Sequence, residues 1–390
     1  MTIMLFQLPE ELQRLQSDLR EFLDREIRPI ADVRDAQGPL SRAELKDLFL
    51  KLTPITQMQL EAATKRRMLS WMIFSEEMAR VWTSLAVTVT TSLGTIFYLA
   101  SRAPEHMRAR LIKGGLEGDI IGCDMMSEPE AGSDTGNLKT TARLEGDYYV
   151  VNGQKMWPTN GPWADVGILS AVADPEAYAK NRREGVIHLI VEKAVSPWQV
   201  RDLPFIGLRA GTTGHFIFEN CRVPKENLIA DSSKGYSQNL AGRGGARIGV
   251  AAYGLGIMQA ALEDSIDWCK KRIAFGRPIG GFQLVQEMIA DMATDLECSR
   301  LLVYLAAELM DSGARCDLEQ NMAKAFVTEV AKRVTDKAIQ IHGARGLTTQ
   351  EGFRLERYYR DAVTGQIGEG TIQIVKLVMA RRILGISAVV

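Results

Sequence analysis

The chain has 390 residues, 46% of them hydrophobic and 24% charged, with a formal net charge of −1. That length suffices for one large core or for two to three linked domains, and the near-neutral charge offers no basic field to a nucleic acid. Cys123, Cys221, Cys269, Cys298 and Cys316 are scattered without a CxxC pair, and the four histidines lie far apart, which points to reduced thiols in a cytoplasmic protein and to no metal site.

The opening MTIMLFQLPEELQ runs a short apolar patch into an acidic helical pattern, without the basic region and small-residue cleavage site of a secretion signal. No run approaches the roughly 20 apolar residues of a membrane span. From Glu10 to Ile30, Leu12, Leu15, Leu19, Phe22, Leu23, Ile27 and Ile30 recur at three- and four-residue steps, the pattern of an amphipathic helix. Gly38 and Pro39 end it, and helical patterns follow at 42–52, 59–80, 82–101 and 104–114, so residues 1–118 are expected to form an all-helical domain.

After Gly114-Gly115 the pattern changes. Segment 138–152 carries hairpin chemistry around Glu145-Gly146-Asp147, and β-branched runs at 166–172, 186–191 and 214–223 are parted by Pro, Gly and Asp. A compact β domain over 119–232, barrel-like or a sandwich, is the expectation, with Asp231 to Gly235 as its exit linker. Helical periodicity then resumes in one stripe of Ile248, Ala251, Ala252, Leu255, Met258, Ala261, Leu262, Ile266 and Trp268. Long helices at 282–311 and 317–342 and a final pair around a Gly-Glu-Gly loop imply an antiparallel helical bundle over 233–390. The fold class is α+β and multidomain, in the order α, β, α.

Four stretches carry chemistry. Gly368-Glu369-Gly370 sets a carboxylate between residues without Cβ atoms, so a flat group can approach it closely as a substrate meets a base; an isolated Gly-Glu-Gly is more often a turn with a solvated glutamate. Met125 to Asp134, MMSEPEAGSD, offers hydroxyls and open backbone for a phosphate or a ring edge, or is a plain turn. In Gly153 to Gly161, Trp157 can stack on a planar ligand while Thr159 bonds its polar edge, or Trp157 is a half-buried core residue. Arg272 closes a helix before Phe275 and Phe282-Gln283; it meets a phosphate in a partner subunit or satisfies the helix dipole.

Together these pieces resemble the acyl-CoA dehydrogenase family from about Gly118 to Gly385, through MSEPEAGSD, GQKMWPTNG, FENCRVPKENL, ARIGVAAYGLGIMQAAL, RIAFGRPIGGFQLVQ, AIQIHGARGL, ERYYRDA and IGEGTIQI in family order. The N-terminal third fits by helical pattern and reads KLTPITQMQL where the family has a PEEYGG-like stretch. The resemblance implies an N-terminal helical domain, a middle β domain and a C-terminal four-helix bundle with FAD between them, in a homodimer or a homotetramer built as a dimer of dimers. It places Met126, Ser127, Trp157 and Thr159 on the flavin, Gly132 and Ser133 at the pyrophosphate and the pantetheine arm, and Thr371 and Gln373 on further FAD contacts. Arg272, Phe275, Gln283, Gln340, Gly343 and Ala344 match positions holding the FAD of the neighbouring subunit, with Ala344 where the family has a second glycine. Pro158 stands where Ile is common, removing an N–H donor. The resemblance also puts Ser133, Arg247 and Gly370 on the substrate side, with an inter-helix ion pair as the alternative role of Arg247.

By the same resemblance Glu369 takes the α-proton of an acyl-CoA thioester, the β-hydrogen leaves as hydride to flavin N5, and an electron-transfer flavoprotein is the acceptor. Ala246 occupies the family's alternative base position, which leaves Glu369 as the base. Gly368 replaces the Tyr of many straight-chain enzymes, an expectation of a short, branched or cyclic acyl group. A biosynthetic relative acting on a carrier-protein-tethered acyl group or using oxygen, and a non-catalytic scaffold, are the alternative readings.

Overall fold

The computed structural model describes residues 8–63, 66–182, 184–230, 235–349 and 352–386. Residues 1–7 of the apolar opening and 231–234 of the expected linker lie outside them.

The N-terminal part is helical: α1 Glu10–Glu26, α2 Arg28–Arg34, α3 Arg42–Ala62, α4 Arg67–Ala100 and α5 Glu105–Leu116. α1 buries Leu12, Leu15, Leu19 and Leu23, the stripe its spacing predicts, and Pro29 in the first turn of α2 marks a new start. Ser41 and Glu44 cap α3 reciprocally. α3 continues through Pro54 to Ala62, where the spacing predicts a break between 52 and 59; packing of Leu52, Ile55 and Thr56 into the core outweighs the proline's missing N–H.

α4 is one helix where the sequence reading has two, with a kink at Trp82 (φ −154°, ψ 97°), the position of the expected division. The Trp82 Nε1–H donates to the buried Asp35 carboxylate at 2.7 Å, and the Ser84 hydroxyl donates to the same oxygen at 3.0 Å, which holds the non-helical residue in place. α4 has the length and apolar composition of a membrane span, but 72% of its most apolar window is buried within the chain, so it serves as a core helix. Between Met72 and Ala100, burial is interrupted only at Val87, Thr91, Gly94, Phe97 and Tyr98. Steps of four and three residues align Val87, Thr91 and Gly94 along one line of the helix, so that line faces an opening.

The middle part contains β1 Gly122–Met125, β2 Thr141–Glu145, β3 Tyr148–Thr159, β4 Val166–Val172, the short helix α6 Pro175–Lys180, β5 Val186–Glu192, β6 Gln199–Asp202, β7 Thr213–Pro224 and β8 Leu228–Ala230. One sheet runs β6-β7-β3-β2-β4-β5-β8, with β1 parallel to β4. Its apolar face buries Val151, Leu169, Leu189, Val191, Phe216, Phe218 and Val223. The β3–β7 register breaks between Met156 and Thr159, so Pro158 falls in a bulge where no ladder bond needs its N–H.

The C-terminal part holds α7 Gly235–Lys271, the hairpin β9 Ile273–Ala274 and β10 Arg277–Pro278, then α8 Gln283–Asp311, α9 Asp317–His342, α10 Leu355–Gly365 and α11 Ile372–Leu384. The α7 stripe from Ile248 through Leu262 is buried as its spacing predicts. α7 lies so close to α4 that a Cβ on Gly256 would stand 2.3 Å from the Glu76 carbonyl oxygen. On α8, Arg300 and Tyr304 both donate to the buried Glu76 carboxylate, tying the bundle to the same helix. α4 is thereby enclosed by both helical parts, except along its open line.

Candidate active site

Three elements carry the site residues. The first is the end of the sheet. Met126 is buried and Ser127 half-buried just after β1, and the Ser127 carbonyl accepts the Met156 N–H at 2.8 Å. Beneath them Lys155, fully buried, donates to Glu128 at 2.7 Å and to the Met126 carbonyl at 2.9 Å. Burial alone would raise the Glu128 pKa; Lys155 and the N–H groups of Lys139 and Thr140 overcome that and hold it below the usual carboxylate range. This ion pair joins two of the sequence motifs and fixes the backbone of both.

At the bulge Trp157 takes φ 77° and stays 50% exposed, its ring 6.0 Å from that of Phe205. A large aromatic held in the left-handed region and left accessible is a strained placement that core packing does not demand. Thr159 is half-buried two residues on, and Asn160, also left-handed at φ 68°, donates to the Thr88 carbonyl of α4 at 2.9 Å. The strand end is thus pinned beside the open line of α4. Gly132 and Ser133 are exposed, with no atom within 4 Å of a Cβ placed on Gly132.

The second element is the loop between α10 and α11. Glu369 has φ 54° and Gly370 φ 94°, two successive left-handed residues, and Thr371 follows as the N-cap of α11 with its hydroxyl accepting the Ile374 N–H at 3.4 Å. A Cβ on Gly368 would meet only the Thr364 carbonyl oxygen, at 3.8 Å, so the space a side chain would fill is open. Gln373 is exposed on the first turn of α11.

Facing this loop are Arg247 and Tyr253 of α7 and Lys324 of α9. Lys324 is buried, and its ammonium donates to the carbonyls of Gly370 at 2.5 Å and Gln366 at 3.3 Å. Burial pulls its pKa down to about 8; the Glu369 charge opposes that and Arg247 reinforces it. Tyr253 is pushed up to about 12 by burial, against its bond to Thr90 and with the Glu369 charge adding to the rise. Its hydroxyl is 2.5 Å from the Thr90 hydroxyl, which donates to the Ala86 carbonyl, and Thr91 also bonds it. Tyr253 thereby reaches the open line of α4 at Thr91, and the Glu369 charge is felt by both Tyr253 and Lys324.

The third element lies at the far end of α7. Arg272, Gln340, Gly343 and Ala344 line one cleft of about 380 Å³ together with Trp268, Ile279 and Arg345. Phe275, at φ 49°, projects from the β9–β10 hairpin with 96% of its surface exposed, and Gln283 opens α8 beside it. None of the lining residues of this cleft belongs to the Glu369 group. The expected residues thus fall into two clusters on one chain.

Sequence reasoning passed over Tyr253, Thr90, Thr91, Lys324 and the pairing of Glu128 with Lys155. A signal existed for two of them: Tyr253 is the one bulky aromatic in GVAAYGLG, and Lys324 lies in the apolar row of an otherwise amphipathic helix.

Profiles described as the acyl-CoA dehydrogenase N-terminal, middle and C-terminal domains match residues 9–119, 123–221 and 234–384. A probable acyl-CoA dehydrogenase of Bacillus subtilis is 34% identical over 386 residues, covering 97% of this chain and 99% of that protein. The mitochondrial short-chain specific acyl-CoA dehydrogenase of Mus musculus is 35% identical over 384 residues, covering 97% of this chain and 91% of that protein. Among solved structures, a glutaryl-coenzyme A dehydrogenase in complex with glutaryl-CoA superposes with a TM-score of 0.88 at 32% identity, covering 97% and 96% of the two chains.

Proposed function

The chain belongs to the acyl-CoA dehydrogenase family of FAD-dependent oxidoreductases, and from that premise we propose that it dehydrogenates a short acyl-CoA thioester with Glu369 as the base. The observation that carries this reading is the setting of Glu369: a left-handed glutamate between two glycines, its charge felt by the buried Tyr253 and Lys324, with Tyr253 bonded to α4.

The residues fit FAD. The accessible, strained Trp157 and the half-buried Ser127 and Thr159 form a flat face with polar edges, Gly132 leaves open space for a diphosphate, and Thr371 and Gln373 stand at a helix N-terminus. When bound, FAD would supply the acceptor for a hydride from Cβ. Arg272, Phe275, Gln283, Gln340, Gly343 and Ala344 would serve the cofactor of a second subunit, which explains a phenylalanine projecting almost fully exposed.

The α-proton of a thioester is barely acidic, so its removal requires the carbonyl oxygen to be stabilised as charge builds on it. The Glu369 N–H is the donor to that oxygen, and the Glu369 carboxylate takes the proton. Ser133, Arg247 and Gly370 guide the thioester arm. Room at Gly368 beside the base, with the Tyr253 ring locked on α7 as the limit to chain length, supports a short, branched or cyclic acyl group over a long straight one. An electron-transfer flavoprotein or similar acceptor would take the electrons onward. Anaerobic flavin bleaching with butyryl-, isovaleryl-, octanoyl- and palmitoyl-CoA tests the reading: the first two should reduce the flavin fastest, and preference for palmitoyl-CoA would overturn it. Tyr253→Ala should extend the profile toward octanoyl-CoA and Tyr253→Phe should not.

A further inference from the structure

We propose that Lys324 is a positioning residue for this reaction, its buried ammonium latching the loop that presents Glu369. The inference rests on the reading of Glu369 as the base. A lysine with no exposed surface gives up the hydration of its charge, and a helix as apolar as this stretch of α9 packs more simply with Met or Leu. The charge is spent on one object: two of the ammonium donors end on the carbonyls of Gly370 and Gln366, the two ends of the segment that contains Glu369.

That segment needs holding. Glu369 and Gly370 both have positive φ, and a non-glycine residue in that region is strained unless its surroundings over-determine it. The N-terminal half of the loop is fixed by turns onto Val363 and Thr364, with the N–H groups of Ile367 and Gly368 donating to Thr364 at 3.2 Å each. The Gly370 carbonyl, directly after the base, is held by Lys324. Because Lys324 lies on the packed face of α9 with no exposed surface, its ammonium sets where that carbonyl points, and through one peptide it sets the Glu369 N–H and carboxylate.

The charged groups facing Lys324 are Glu369 from the loop and Arg247 from α7. Other ion pairs of α9 are engaged elsewhere: Arg333 and Lys337 with Asp295 and Asp291 of α8, and Glu329 with Lys376 of α11. The folded pKa near 8 lies below the ordinary lysine value of 10.5. Between those values the unfolded chain holds a proton that the folded chain has released, so stability rises with pH there. The latch moves the other way, since a neutral amine donates more weakly than an ammonium. Rising pH therefore firms the fold while loosening the loop.

The test uses the FAD-loaded protein and its Lys324→Met and Lys324→Gln variants. Hydrogen exchange of the amides at 366–371, corrected for intrinsic rate, should speed up in wild type as pH passes about 8 and should be fast at all pH in Lys324→Met, with Lys324→Gln between them. The butyryl-CoA reduction rate should fall in parallel in wild type and should be lower in Lys324→Met by on the order of 100-fold, with no inflection near pH 8. Unchanged loop protection in both variants, or an inflection that survives them, overturns the proposal. If Lys324→Met fails to fold, Lys324→Gln, which keeps a donor, carries the same exchange comparison. Absence of flavin reduction by every acyl-CoA would instead count against Glu369 as the base.

Discussion

Replacing Lys155 by Met should destabilise the protein far more than a surface lysine replacement. Lys155 and Glu128 are both buried, 2.7 Å apart, and the same ammonium reaches the Met126 carbonyl at 2.9 Å. Removing one partner leaves the Glu128 carboxylate in the interior with two backbone N–H groups for company, a loss of about 3–5 kcal/mol. The freed Met126 carbonyl adds about 1 kcal/mol. Against a total stability on the order of 5–15 kcal/mol, that is a large fraction. Equilibrium denaturation of the holoprotein would show it as a lower midpoint, and FAD should dissociate more readily because Met126 and Ser127 lose their support. The double replacement Glu128→Gln with Lys155→Met should recover more than half of the loss. A single variant within about 1 kcal/mol of wild type, or a double variant no better than the single, would refute the argument.

Two further perturbations probe the frame around the site. Gly256→Ala should cost about 1–3 kcal/mol in chemical denaturation, because the new Cβ meets the Glu76 carbonyl and the Arg80 N–H across the α4–α7 contact; an unchanged midpoint would mean the helices are not that close. Asp361 is pushed up to about 7 by burial and by the neighbouring Asp35, against the Leu208 N–H that donates to one of its oxygens at 2.7 Å. The folded protein keeps a proton that the unfolded chain releases from about pH 4, so this carboxylate erodes stability as pH rises from about 4 to 7. Asp361→Asn should flatten the melting temperature across that window and raise stability at pH 8 by about 1–3 kcal/mol; an unaltered slope contradicts it.

Much of this was legible in the amino-acid order for a physical reason. Glycines and prolines bracket the functional loops, so Gly368-Glu369-Gly370 and the Trp157-Pro158-Thr159 bulge stand out as places where the backbone does something unusual. The α9 helix and strands β4 and β7 follow from periodicity, which long, well-patterned segments express clearly. What stayed hidden sits inside regular helices. Thr90 and Thr91 occupy ordinary helical positions; Tyr253 and Lys324 stand out in their helices, but only the approach of α4, α7, α9 and the loop shows what they bond. β1 was too short, and its pairing parallel to β4 too remote, for local pattern to announce. Pro54 misleads because tertiary packing carries α3 through it.

The central claim is that the Glu369 carboxylate takes the α-proton, and Glu369→Gln tests it most directly. The exchange keeps the side chain's size and the backbone donor while removing the base. Mixed anaerobically with butyryl-CoA, the variant should remain yellow, with its reduction rate lower by about 10²- to 10⁴-fold than wild type while the thioester still binds. Bleaching at the wild-type rate would contradict the account.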